Sequence, residues 1–211
     1  MNQKVIEKIN SGREYRAMQM DAIAEGTTVE GYATTFNQPY KLYDVDGIDV
    51  YEQVAPNAFD ETDMSDVIMQ YDHAGRVFAR LSNGTLHIAT DEHGLRVSAD
   101  LGGTEIGRQL YEEIKGGYTN KMSFGFTVTD DTVEEFEKGY IRTINRIGKL
   151  YDVSAVSLPA NNYTEISAKR HIDGAINELV TERLQAEKRE EERRKARGEL
   201  AERIKKLRET K

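Results

Sequence analysis

The sequence predicts a β-rich α+β fold: a barrel-like antiparallel sheet with one internal helix and a long C-terminal helical extension. Three observations lead there. Short runs that alternate apolar and polar residues, bounded by Gly, Asn and Asp, recur across residues 13–158. Inside that region one segment, residues 104–115, has helical spacing instead. Beyond Pro159 the texture changes, and residues 171–211 form a proline-free, highly charged run. The expected organisation is a loose leader over residues 1–12, a folded domain over 13–170 and a charged helical extension over 171–211.

In chain order, residues 13–18 and 28–36 read as two strands turned near Gly26. Residues 38–66 contain Pro39, Pro56 and the acidic Asp44, Asp46 and Asp49, and read as loops around a short strand at 50–54. Residues 67–101 read as a continuous antiparallel meander. Its strands cover 67–71, 77–81, 85–90 and 95–100, with turns at Ser82-Asn83-Gly84 and Asp91-Glu92-His93-Gly94. In the helix, Thr104 is a cap, Ile106, Leu110 and Ile114 make one stripe, and Gly116-Gly117 is a stop. An alternating strand at 121–128 follows, then an acidic hairpin at 130–139, a run at 140–147 and a last strand at 150–158 stopped by Pro159. The extension keeps heptad spacing only at its ends, with Ile172, Ile176 and Leu179, then Leu200, Ile204 and Leu207. Its middle is charged, so a solvated helix docked at both ends is expected, with Gly198 as a kink.

Composition narrows the function. Of 211 residues, none is cysteine, which excludes disulfides, thiolate catalysis and cysteine zinc sites. Residues 181–211 hold 12 Lys/Arg and 8 Asp/Glu, a net of +4; the others hold 17 and 29, a net of −12. So acidic a body disfavours nucleic-acid phosphates as partners. No apolar run is long enough to cross a bilayer, so no membrane partner is expected. The acids at 44, 46 and 49 lack the twelve-residue calcium loop, and no dinucleotide or Walker motif is present. No cofactor or metal is expected.

Within the strand at 121–128, Met122, Phe124, Phe126 and Val128 face one way, and Ser123, Gly125 and Thr127 the other. A small hydroxyl beside a glycine suits a nucleophile with open space above it, and equally suits a polar residue on a half-buried strand. A serine nucleophile needs a base and a group that orients the base. Four histidines are available. His87 alternates onto a solvated strand face, His93 sits in a turn, and His171 opens the tail helix. His73 follows an apolar strand at a loop mouth, where catalytic groups often reside. Asp152, in an otherwise apolar strand, requires a partner; Arg142, Arg146 and Lys149 are the ordinary choices.

Several blocks in order resemble the prohead (capsid-maturation) proteases of tailed phages, a family distantly related in fold to herpesvirus assemblins. They are Gly31-Tyr32-Ala33 to Phe36-Asn37, Glu52 to Phe59, Tyr71-Asp72-His73, Gly84-Thr85-Leu86, Gly94-Leu95, Met122-Ser123-Phe124-Gly125-Phe126, and Asp152-Val153-Ser154 to Pro159-Ala160. The resemblance covers residues 15–170. It implies an assemblin-like serine endopeptidase whose triad is His73, Ser123 and Asp152, the last at a position where the family often has Glu. It further implies cleavage of the major capsid protein's scaffold segment and of the enzyme itself. It implies self-association, and a location inside immature capsids in the host cytoplasm. Two other readings stay open: a non-catalytic assembly module on the same fold, and an esterase, against which stands the missing Gly-x-Ser-x-Gly pattern at Ser123.

Overall fold

The computed structural model describes residues 13–22, 26–45, 47–157 and 165–209. The proposed leader, the Pro159-Ala160 block with Asn161-Asn162, and the side chains of His171, Leu200, Ile204 and Leu207 lie outside the described residues. The chain divides into two compact units, Met1–Lys169 and Arg170–Lys211.

The first unit contains the strands β1 (Glu14–Ala22), β2 (Thr28–Thr35), β3 (Tyr40–Val45), β4 (Ile48–Val54), β5 (Ile68–Tyr71), β6 (Ala74–Arg80), β7 (Leu86–Thr90) and β8 (Gly94–Asp100). The helix α1 (Glu105–Lys115) and the long strands β9 (Lys121–Phe136) and β10 (Gly139–Val156) complete it. The sheet runs in the order β3-β4-β10-β9-β1-β2-β8-β7, with β5 branching from β10 and β6 pairing β5. One expectation is corrected here. The sheet is mixed rather than antiparallel, because β4 and β5 both run parallel to β10, and among the described residues the strand path does not close on itself. Parallel partners are distant in sequence, so no local turn signal announces them.

The expected meander over 67–101 is likewise two separate hairpins. β5–β6 attaches through β5 to β10, whereas β7–β8 attaches through β8 to β2. A short 3-10 turn at Leu81–Asn83, closed by Gly84 at φ 75°, separates them. β3 lies in the region read as loop: Pro39 and the acids hid its alternation. Its Lys41 Nζ holds Asp49 on β4 at 2.5 Å, so two of the acids considered for calcium belong to a hairpin. The segments expected at 121–158 are two continuous strands joined at Glu137-Lys138. Their register shifts at β-bulges between Ile144 and Asp152. Glycine is required at position 139, where a Cβ would stand 1.9 Å from the Asp49 carbonyl oxygen of adjacent β4.

Met122, Phe124 and Phe126 point from β9 into the core, with the two phenyl rings stacked 4.5 Å apart. Each buried phenylalanine contributes about 1.5–3 kcal/mol. Helix α1 matches its expectation. The Thr104 hydroxyl accepts from the Gly107 N–H at 3.0 Å, a cap that contributes ~1 kcal/mol, and Leu110, Tyr111 and Ile114 are buried.

One end of the core is ionic. Arg142 on β10, 2% exposed, donates to both Glu14 carboxylate oxygens at 2.6 and 2.9 Å, to Glu52 at 2.9 Å and to Asp131 at 2.5 Å. Arg16 donates twice to Glu52, at 2.5 and 2.7 Å, and to Glu14 at 2.9 Å. The Tyr40 hydroxyl donates to Glu52 at 2.5 Å. These side chains tie β1, β3, β4, β9 and β10 together.

The helix α2 (Glu165–Glu209), which runs through Gly198, begins at the end of the first unit, before the expected 171, and makes up nearly all of the second. Residues 181–198 are all exposed, and Arg183–Glu187 and Lys195–Glu191 pair one turn apart.

Candidate active site

The site lies on the face of β9 and β10 opposite the phenylalanines. The antiparallel register sets Ser123 opposite Ser154 and Gly125 opposite Asp152, while β1 sets Tyr15 opposite Gly125 and Ala17 opposite Ser123. On the other side of β10, β5 runs parallel, pairing Asp152 with Ile68 and Ala155 with Tyr71. The chain leaves β5 into the turn that carries His73. Three residues separated by up to 79 positions thus meet over adjacent strands.

His73 Nε2 lies 2.7 Å from Ser123 Oγ, and Nδ1 is hydrogen-bonded to Asp152 Oδ1. A carboxylate only accepts, so the Nδ1 proton is directed at Asp152, and Nε2 accepts from the serine hydroxyl. The Ser154 hydroxyl donates to the same Asp152 oxygen at 2.8 Å. Tyr15 sets its ring edge-on to the imidazole, centroids 4.3 Å apart. Burial, then the nearby Asp152 charge, push the Tyr15 phenol up, which keeps it neutral beside the carboxylate.

The group is largely shielded from water. The side chains of His73 and Asp152 are 8% and 5% exposed, and Ser123 is wholly buried. In so dry a site each hydrogen bond is electrostatically stronger than it would be in water.

All three residues singled out from sequence are brought together. The space beside Ser123 differs from expectation. It is filled rather than open: a Cβ at position 125 would stand 2.6 Å from Asp152 Oδ2 and 2.9 Å from Tyr15 Cε1. Gly125 makes room for the carboxylate and the tyrosine ring. The ordinary partners considered for Asp152 are engaged elsewhere, Arg142 in the buried network, Arg146 with Glu61 and Lys149 with Asp63. His87 is exposed on β7, and His93 sits in the β7–β8 turn with its ring edge-on to Tyr32.

Sequence reasoning missed Tyr15 and Ser154. Ser154 carried a usable signal, since it sits two residues from Asp152 and shares its strand face. Tyr15 carried none, because its place depends on β1 pairing with a strand more than a hundred residues away.

Among the described residues, no cluster of three or more His, Asp or Glu is gathered as a metal site. The chain finds no match among curated proteins and none among solved structures. A family model does match it, over residues 13–176, which spans every residue of the site above. The chain belongs to the caudovirus prohead serine protease family.

Proposed function

We propose that the protein is a serine endopeptidase that cleaves segments of the major capsid protein and its scaffold, and itself, inside immature phage capsids. The observation that carries this reading is the continuous chain of hydrogen bonds from Asp152 through His73 to Ser123. Ser123 Oγ attacks the peptide carbonyl as His73 Nε2 takes its proton. Asp152 holds the tautomer and stabilises the imidazolium, and the imidazolium then protonates the leaving amine. Water, activated by the same imidazole, hydrolyses the acyl-enzyme. A non-catalytic assembly module would need no such contact between His73 and Ser123, and their 2.7 Å separation favours the enzyme.

The folded domain over residues 13–170 carries the chemistry in this proposal, and the exposed helix beyond it tethers the enzyme to scaffold or shell. Wild type and Ser123→Ala are each incubated alone and with the capsid protein, then analysed by mass spectrometry. Wild type is expected to trim itself and the capsid protein at defined peptide bonds. Ser123→Ala is expected to lose on the order of 10⁴–10⁶-fold in rate. Equal trimming by both proteins would remove Ser123 as nucleophile.

A further inference from the structure

The hairpin that carries His73 departs from the preferred turn sequence at one of its two loop positions. β5 ends at Tyr71, β6 starts at Ala74, and these two residues pair, so Asp72 and His73 are the entire loop. Both have positive φ, 48° and 55°. Two-residue loops with this backbone favour Asn-Gly or Asp-Gly. Asp72 suits the first position. His73 occupies the second, which glycine usually takes because a Cβ is unfavourable there. The ring that bridges Asp152 and Ser123 therefore sits on a backbone that glycine would adopt at lower cost, a pattern found where surrounding contacts over-determine a strained residue.

Those contacts come from Asp72. Its N–H donates to the Ala155 carbonyl at 2.9 Å, which closes the β5–β10 ladder at the Tyr71–Ala155 pair. Its carboxylate accepts from the Ser157 N–H at 2.9 Å, and from the Ser157 hydroxyl at 3.1 Å on one oxygen and 2.9 Å on the other. Strand β10 and the residue that follows it thus grip the loop at two places: Asp152 takes the ring, and Ala155 with Ser157 takes the residue before it. Asp72 and Ser157 are both exposed, so these hydrogen bonds are not core packing and their removal opens no cavity.

We infer that Asp72, with Ser157 as its partner, is a positioning residue for the His73 base: it clamps the two-residue loop to the end of β10 and so keeps the imidazole between Asp152 and Ser123. The inference rests on the protease reading above. It assigns Asp72 a function through His73, not contact with substrate.

Four variants separate the clamp from an ordinary turn preference. Asp72→Asn keeps both the tolerance of positive φ and an acceptor for the Ser157 N–H. Asp72→Gly keeps the tolerance and loses the acceptors. Asp72→Ala loses both, and Ser157→Ala removes only the hydroxyl. Each is measured by kcat and KM on a peptide substrate and by the rate at which a fluorophosphonate probe labels Ser123. The low-field proton resonance of the His73 Nδ1–H gives a readout independent of turnover. Expected is a fall in kcat of up to about 10²-fold for Asp72→Ala, the scale of a 1 Å misplacement, with KM nearly unchanged. Asp72→Gly falls about tenfold, and Asp72→Asn and Ser157→Ala fall only a fewfold. The low-field proton persists in Asp72→Asn and broadens in Asp72→Gly and Asp72→Ala. The inference is overturned if Asp72→Gly keeps both wild-type kcat and a sharp proton signal, whatever Asp72→Ala does, since only turn preference would then matter, or if kcat loss in all four simply follows loss of thermal stability. If wild type itself is not labelled at Ser123, the protease reading fails, and the proton resonance alone decides whether Asp72 positions the ring.

Discussion

Gly125 and Asp152 face each other across β9 and β10 with no room for a methyl group between them. Gly125→Ala is expected to push the carboxylate off the His73 Nδ1–H. Activity should fall on the order of 10²-fold while overpacking costs about 1–3 kcal/mol of stability. A kcat equal to wild type would mean that the Asp152–His73 contact is not needed. Ser154→Ala removes a donor to the same carboxylate, and a hydrogen bond to a charged group is worth about 1.5–3 kcal/mol. A loss of activity of roughly tenfold is expected, read from kcat at unchanged KM. At this scale the sequence was legible for residues with chemistry of their own: His73, Ser123 and Asp152 stood out as a loop histidine, a serine beside glycine and a carboxylate among apolar neighbours. Residues that act by position were not legible. The purpose of Gly125 was misread because pleat geometry says which way a glycine faces but not which side chain from the next strand fills the space.

The elements are held by charge as well as by apolar burial. Arg142 joins Glu14 of β1, Glu52 of β4 and Asp131 of β9. Its removal strands buried carboxylates, so Arg142→Met is expected to destabilise the fold by about 3–5 kcal/mol in urea unfolding. Replacing the whole network with apolar residues would have a far smaller effect. Burial alone would raise the Glu52 carboxyl, but the Arg16 charge and hydrogen bond, with Arg142, outweigh it and hold Glu52 at about 2, below its ordinary 4.5. The unfolded chain therefore binds this proton more readily than the folded one. Stability from Glu52 is complete above pH 4.5 and is lost as pH falls from there toward about 2. Tyr40 behaves oppositely. Burial and then the Glu52 charge raise its phenol well above 10, so its contribution is complete below pH 10 and lost as pH rises beyond it. Urea midpoints measured from pH 2 to 11 should fall at both ends, and a flat acid limb would contradict the role given to Glu52. Most antiparallel hairpins and the capped helix were legible because their signals are local, in alternation, glycine turns near Gly26 and Gly94 and a Thr cap, whereas Asn83-Gly84 closes a 3-10 turn between two hairpins. The parallel partners of β10 and the ion pairs across β1, β4 and β9 were not, because each joins residues far apart in the chain.

For the molecule as a whole, the question is what the helix Glu165–Glu209 is for. Residues 181–198 are exposed throughout, and the described ion pairs there, Arg183–Glu187 and Lys195–Glu191, lie within the helix itself. Exposed pairs one turn apart contribute about 0.3–0.5 kcal/mol each, so that stretch is sustained largely by its own helical preference. The excess of basic residues at 181–211 contrasts with an acidic remainder. A chain ending at Lys169, the edge of the first compact unit, is therefore expected to fold, to react with a fluorophosphonate at Ser123 and to cleave a short peptide at close to the full-length rate. It is also expected not to enter assembling capsids when co-expressed with the capsid protein. Circular dichroism separates the outcomes. A folded, active and excluded protein makes the helix a delivery device distinct from the chemistry, whereas loss of the sheet signal on truncation makes it part of the domain's own fold and removes the tether.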